Sequence, residues 1–131
     1  VGVVSSLMAL VQGFFAGTFA KALEEDPMAI EINDALQLKE ALWLDARSRA
    51  VYESGHLEGA LLLNEDEWDN GLDGLLAVWI PEQPLIVYCD GGGCAASRNV
   101  ALRLQEEFVM EAVYWLVYGW YALRASGKVD P

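Results

Sequence analysis

Leu85-Ile86-Val87-Tyr88-Cys89-Asp90-Gly91-Gly92-Gly93-Cys94-Ala95-Ala96-Ser97 is the stretch on which the fold turns. Leu85 to Tyr88, bounded by Pro84 on one side and glycines on the other, predicts a central strand buried on both faces. From Ser97 to Phe108, Val100, Leu102, Leu104 and Phe108 alternate with Arg103, Glu106 and Glu107, the pattern of an amphipathic helix. A buried strand, a glycine turn and a helix form part of a parallel βα unit, and open α/β sheets bind ligands at the carboxyl ends of such strands. Gly91, Gly92 and Gly93 admit backbone angles closed to other residues, so N–H groups of the turn can converge on one point. The helix dipole adds positive potential there, and both effects lower a thiol's pKa. These residues fit a nucleophilic Cys89; they also fit a buried core cysteine followed by a flexible turn, and taken alone they leave both readings open.

Outward from this stretch, short strands and helices alternate. Ile30 to Ile32 reads as a brief edge strand, with Asn33 or Asp34 capping a helix over 35–41. Leu42 to Leu44 reads as a buried strand ending at Asp45-Ala46-Arg47, Ser48 to Ser54 as a short helix closed by Gly55, and Ala60 to Leu63 as a second buried strand. Trp68, Leu72, Leu75, Leu76 and Trp79 have helical spacing within 65–79, although Gly71 and Gly74 weaken the prediction. Ala112 to Leu116 gives a last strand, Gly119 a turn, and Trp120 to Ser126 a terminal helix. The alternation predicts an α/β domain whose parallel sheet is covered by helices on both faces.

The chain has 131 residues, room for one domain of this kind, and a net charge of −12 with only eight Lys+Arg. Phosphate neutralisation needs clustered cations, so no nucleic-acid partner is expected. With two cysteines in one loop and a single His56 distant in sequence, neither a disulfide framework nor a metal site is expected, and no cofactor. Val1 to Ala20 carries no charge and is long enough to cross a hydrocarbon core of roughly 30 Å. Residues 1–25 are therefore expected to form a hydrophobic helix anchoring the domain of residues 26–131 in a membrane as a single-pass protein. Gly13 and Gly17 form a GxxxG pattern that suits helix packing. A signal-peptide core, or a helix packed on the domain, are the competing readings, and sidedness is not readable from one flanking cation, Lys21.

Asp45-Ala46-Arg47, Tyr52 with Gly55-His56-Leu57-Glu58-Gly59-Ala60, Val87-Tyr88-Cys89 and Val113 to Trp120, in this order along the chain, together resemble the rhodanese family. Asp45-Ala46-Arg47 resembles its Asp-x-Arg strand end, Tyr52 with Gly55-His56-Leu57-Glu58-Gly59-Ala60 is similar to its tyrosine and Gly-His-Ile-x-Gly-Ala signature, and Val87-Tyr88-Cys89 resembles the strand that delivers its catalytic cysteine. Val113 to Trp120 resembles its late strand and Gly-Trp turn. The resemblance implies a rhodanese-like central parallel sheet flanked by helices, and sulfur transfer through a persulfide on Cys89. The loop from Asp90 through Gly91, Gly92, Gly93 and Cys94 to Ala95 would hold the charged persulfide by its N–H groups, with Arg98 helping to bind the donor. Asp45, Arg47 and His56 are expected to be structural.

The loop departs from the family pattern. Cys94 and Ala95 stand where many rhodaneses place an arginine and a serine, and the helix starts about two residues later. Three functions follow as expectations. The first is a membrane-tethered sulfurtransferase or sulfane-sulfur carrier, whose partners are a sulfane-sulfur donor and a thiol acceptor. The second is a non-catalytic accessory subunit among membrane protein subunits, making contact through Trp115, Tyr118, Trp120 and Tyr121 or the Gly13/Gly17 face. The third is a thiol redox protein or arsenate reductase in which Cys94 closes on Cys89.

Overall fold

The computed structural model of the chain describes residues 26–91 and 94–130. The expected membrane helix of residues 1–25 lies outside them; among the described residues no helix is long and apolar enough to cross a membrane. In chain order the elements are β1 (Ala29–Ile30), α1 (Ile32–Ala35), β2 (Leu42–Asp45), α2 (Arg49–Ser54), β3 (Leu61–Leu62), α3 (Trp68–Val78), β4 (Leu85–Tyr88), α4 (Ala96–Phe108), β5 (Val113–Leu116) and α5 (Gly119–Ala125). The strands form one sheet in the order β1-β5-β4-β2-β3. Every pairing is parallel, as short strands joined through helices require.

β4 lies in the middle of the sheet and all of its residues are buried. Because side chains alternate along a strand, Leu85, Val87 and Cys89 share one face and Ile86 and Tyr88 the other. The first set joins a core with Leu44, Leu75, Val100, Ala101, Leu104 and Val113, which brings in α3 and α4. The second joins Ala35, Ala60, Leu116 and Leu123, which brings in α1 and α5. Burying each of these large side chains stabilises the fold by about 1.5–3 kcal/mol. Cys89, one residue past the strand, keeps its alternation and so points toward α4.

Two sequence expectations near the N-terminal edge need correction. The edge strand is Ala29–Ile30, and Ile32 already belongs to α1. The helix expected over 35–41 instead spans Ile32–Ala35, with Asn33 and Asp34 inside it and Glu31 at its N-cap. The chain then tightens into i→i−3 turns, Gln37 N–H to Asp34 O and Leu38 N–H to Ala35 O, and Ala41 N–H to Leu38 O completes the return to β2. One helical turn already buries Ala35 against the sheet, and a longer helix would carry the chain past the start of β2.

α3 is continuous despite its two glycines, which do opposite things. A Cβ on Gly71 would sit 2.7 Å from the Leu62 carbonyl oxygen and 2.9 Å from Leu63 Cδ1, so the glycine is what lets α3 lie close on β3. A Cβ on Gly74 would meet nothing within 4 Å.

Candidate active site

β2 and β4 end side by side, Asp45 opposite Tyr88, and the residues that follow them build the site. Asp45 is completely buried and ion-paired to Arg47 at 2.7 Å. Its carboxylate also accepts from the Arg47 backbone N–H at 2.9 Å and from the Tyr88 hydroxyl at 2.7 Å. Tyr88 Oη in turn accepts the Leu57 N–H at 3.1 Å, and Arg47 Nη2 donates to the Gly55 carbonyl at 2.7 Å. The guanidinium lies 4.0 Å from the Trp120 ring centroid. Burial disfavours its charge, but the hydrogen bonds to Asp45 and that carboxylate's field outweigh this and raise its pKa. Burial likewise pushes the Tyr88 phenol up, so it remains a donor to Asp45 at any physiological pH. Asp45 and Arg47 thus tie the strand end to the loop of residues 55–60.

That loop is held from within. Tyr52 Oη donates to the Ala60 carbonyl at 2.6 Å. The His56 ring stacks on Tyr52 with centroids 3.7 Å apart, and His56 Nδ1 is 2.8 Å from the Tyr52 carbonyl. A carbonyl only accepts, so Nδ1 carries the proton. His56, Arg47 and Asp90 line a groove of about 580 Å³ beside Trp120 and Arg124.

Cys89 opens on a different, smaller cavity of about 220 Å³, with Cys94, Ala95, Ser97 and Arg98 on one side and Trp115 to Tyr118 on the other. The Cys89 carbonyl accepts the Trp120 N–H at 2.8 Å, and a Cβ on Gly119, whose φ is +40°, would collide with that same carbonyl. Gly91, at φ +108°, is packed equally tightly on the Tyr118 backbone. The Gly-Trp turn therefore fixes the backbone on which the cysteine sits.

Around the sulfur, Ser97 Oγ lies 3.4 Å from Cys89 Sγ and the Cys94 carbonyl 3.6 Å away. Cys89 and Cys94 are joined as a disulfide with Cα atoms 6.5 Å apart. The N-terminus of α4 has no side-chain cap, and its first turn, carrying Ser97, borders the sulfur. Uncapped N–H groups and the helix dipole favour negative charge at that end.

Three sequence expectations about the loop change here. The Cys94 N–H is bonded to the Gly91 carbonyl at 3.2 Å, so it is committed within the loop rather than to the sulfur. Asp90 lines the larger groove instead of the cavity, near enough to Arg47 to raise that residue's pKa. Arg98 reaches the cavity, but its Nε donates to Asp26 Oδ2 at 3.0 Å. Gly92 and Gly93 lie outside the described residues.

Ser97 and Asp26 were not legible as site residues. Ser97 is only 1% exposed and lies on the buried stripe of α4 with Val100, Ala101 and Leu104, a lone hydroxyl among apolar neighbours. A polar residue at that phase was the available signal, since a buried hydroxyl needs a partner. Asp26 accepts from Met28 N–H, Arg98 Nε and Trp115 Nε1 at 2.9 to 3.0 Å. Partial burial opposes its ionisation, but these donors outweigh it and hold its carboxyl below the usual carboxylate range. No local pattern announces a partner 72 or 89 residues away.

The family model of the rhodanese-like domain matches residues 28–126. The chain belongs to the rhodanese-like domain family. No curated protein matches it. Among solved structures this rhodanese-like domain is similar to the BH2092 protein of Bacillus halodurans, at 18% identity, a TM-score of 0.65, and coverage of 86% of this chain and 82% of that one. It is also similar to the Alr3790 protein of Anabaena sp., at 20% identity and a TM-score of 0.61, covering 76% of this chain and 77% of that one. A full-length protein of Lactobacillus plantarum is 16% identical with a TM-score of 0.61, covering 96% and 97% of the two chains. At these identities the likenesses support the fold of the rhodanese-like domain and nothing finer.

Proposed function

We propose that the protein is a sulfurtransferase or sulfane-sulfur carrier working through a persulfide on Cys89, tethered to a membrane by residues 1–20. The observation that carries this reading is the placement of the Cys89 sulfur. It ends the central strand, opens on a small cavity, and lies 3.4 Å from the Ser97 hydroxyl at the uncapped start of α4. A thiolate there gains a donor hydrogen bond and the helix dipole, and Trp115 and Val117 limit its hydration.

The Cys89 thiolate attacks the outer sulfur of a donor; the new S–S bond forms as the donor's own bond to that sulfur breaks, and the leaving group departs with the electron pair. The product persulfide is itself anionic and is held by the same Ser97 hydroxyl and helix start. Arg98 lies at the cavity rim, but its ion pair with Asp26 offsets its charge, so in this acidic chain the Ser97 hydroxyl and the start of α4 supply the attraction for an anionic donor. A cavity of about 220 Å³ suits a small inorganic or low-molecular-weight donor. The test is cyanide-releasable sulfur on the reduced full chain after exposure to thiosulfate or glutathione persulfide. The expectation is one sulfur per chain in the Cys94→Ser variant and none after Cys89→Ser; equal labelling of both sinks the proposal.

The Cys89–Cys94 disulfide favours a second reading, a thiol redox protein in which the pair cycles between dithiol and disulfide against a two-electron oxidant such as arsenate. That reading expects arsenite to form, dependent on both cysteines, with no sulfur donor present.

A further inference from the structure

We propose that Cys94 is an internal resolving thiol that discharges the Cys89 persulfide as hydrogen sulfide, so that sulfane sulfur taken up by Cys89 leaves the domain reduced unless an external acceptor takes it first. The inference rests on the persulfide reading above and adds the fate of the sulfur.

The geometry is that of the loop itself. Cys94 follows Cys89 by five residues, both line the same cavity, and their sulfurs are bonded with Cα atoms 6.5 Å apart. That separation falls within the span a disulfide bridges without backbone movement, about 4.4–6.8 Å. The loop is shaped to keep the pair together: Cys94 N–H is tied to the Gly91 carbonyl, and Gly91 is packed on the Tyr118 backbone. The chain contains only these two cysteines, so no other internal thiol competes.

The chemistry balances. With sulfur on Cys89, the Cys94 thiolate attacks Cys89 Sγ; the Cys89–Cys94 bond forms, the bond from Cys89 Sγ to the added sulfur breaks, and that sulfur leaves as hydrosulfide with the electron pair. Over loading and resolution, one sulfane sulfur is reduced by two electrons and two thiols are oxidised to one disulfide. An external dithiol then restores the pair by exchange through a mixed disulfide, itself becoming a disulfide. A thiol tethered this closely has an effective concentration on the order of millimolar or higher, so it outcompetes external acceptors present below that level.

The reduced full chain, given one equivalent of glutathione persulfide with the glutathione released on loading as the sole other thiol, is followed by sulfide assay and intact mass. The unsubstituted protein is expected to release one sulfide per chain and end lighter by two hydrogens. Cys94→Ser and Cys94→Ala are expected to retain the mass of one added sulfur, labile to cyanide, with sulfide release reduced about ten-fold or more. That retained sulfur also shows that the substituted loop is still a working site. If the unsubstituted protein keeps the added sulfur, or the Cys94 variants release sulfide as fast as it does, the resolving role is overturned while the persulfide reading stands. If neither protein takes up sulfur or releases sulfide, both fall together.

Discussion

Replacing Asp45 by asparagine would test whether the buried ion pair at the end of β2 organises the site. The carboxylate is fully buried and the Arg47 side chain 4% exposed, so the substitution leaves a guanidinium without its counter-charge inside the protein. Breaking such a pair from one side costs about 3–5 kcal/mol. The amide oxygen can keep the Arg47 backbone N–H that Oδ1 accepts, but the Tyr88 hydroxyl, which donates to Oδ2, then faces an amide NH2. The expectation is a destabilisation of about 3–5 kcal/mol, a large share of the roughly 5–15 kcal/mol typical of a domain. Adding Arg47→Met removes the stranded charge and leaves the Gly55 carbonyl without its donor and the Tyr88 hydroxyl without its carboxylate, about 1 kcal/mol each. The double variant should therefore be more stable than Asp45→Asn alone. Urea unfolding of the full chain in mild detergent, followed by tryptophan fluorescence, reads both values from midpoint and slope. A loss below about 1 kcal/mol for Asp45→Asn, or a double variant as unstable as the sum of the singles, would refute the reasoning.

The remaining predictions concern the helices and the cavity. Gly71→Ala forces α3 off β3 and should destabilise by about 1–3 kcal/mol, whereas Gly74→Ala, facing open space, should stabilise by about 0.5–1 kcal/mol; equal effects in urea titrations would contradict the close approach. Ser97→Ala, made in the Cys94→Ser background, removes the hydroxyl beside the sulfur and should slow iodoacetamide alkylation of Cys89 below pH 8 by roughly ten-fold. An unchanged pH–rate profile would mean that the hydroxyl does not stabilise the thiolate. Asp26 has a lowered folded-state pKa, so its contribution is complete above the ordinary value of 3.8 and is lost as pH falls through the lowered one. The difference in urea midpoint between the unsubstituted protein and Asp26→Asn should then stay constant from pH 8 to about 5 and close below about pH 4; a gap persisting at pH 2 would show that charge on Asp26 is not its source.

The parts of this fold legible in the sequence are those whose signal is local. β4 is found over Leu85–Tyr88 because an apolar run between proline and glycine has one good solution, and α4 begins one residue from its expected start because its buried stripe repeats at helical spacing. The stretch after Ile32 misled because Leu36, Gln37, Leu38, Lys39 and Glu40 are all good helix formers, while the sheet required the chain to turn back. At the candidate site, the placement of Cys89 at the end of the central strand, before the glycine turn and α4, was legible from the sequence. The partners of Cys89 and Arg98 were not: Ser97 stands two residues beyond the place where the family pattern would put a serine, and Asp26 reaches Arg98 only through the tertiary fold. Gly71 looked like a helix breaker because the strand it touches is invisible along the helix itself.

The central claim is that Cys89 carries sulfane sulfur, and intact-mass analysis with peptide mapping of the reduced Cys94→Ser full chain after glutathione persulfide tests it most directly. The account predicts one added sulfur, located on Cys89, removed by cyanide and absent from the Cys89→Ser protein. A Cys89 that stays unmodified with both glutathione persulfide and thiosulfate, in a protein whose Cys89 still reacts with iodoacetamide, would contradict it.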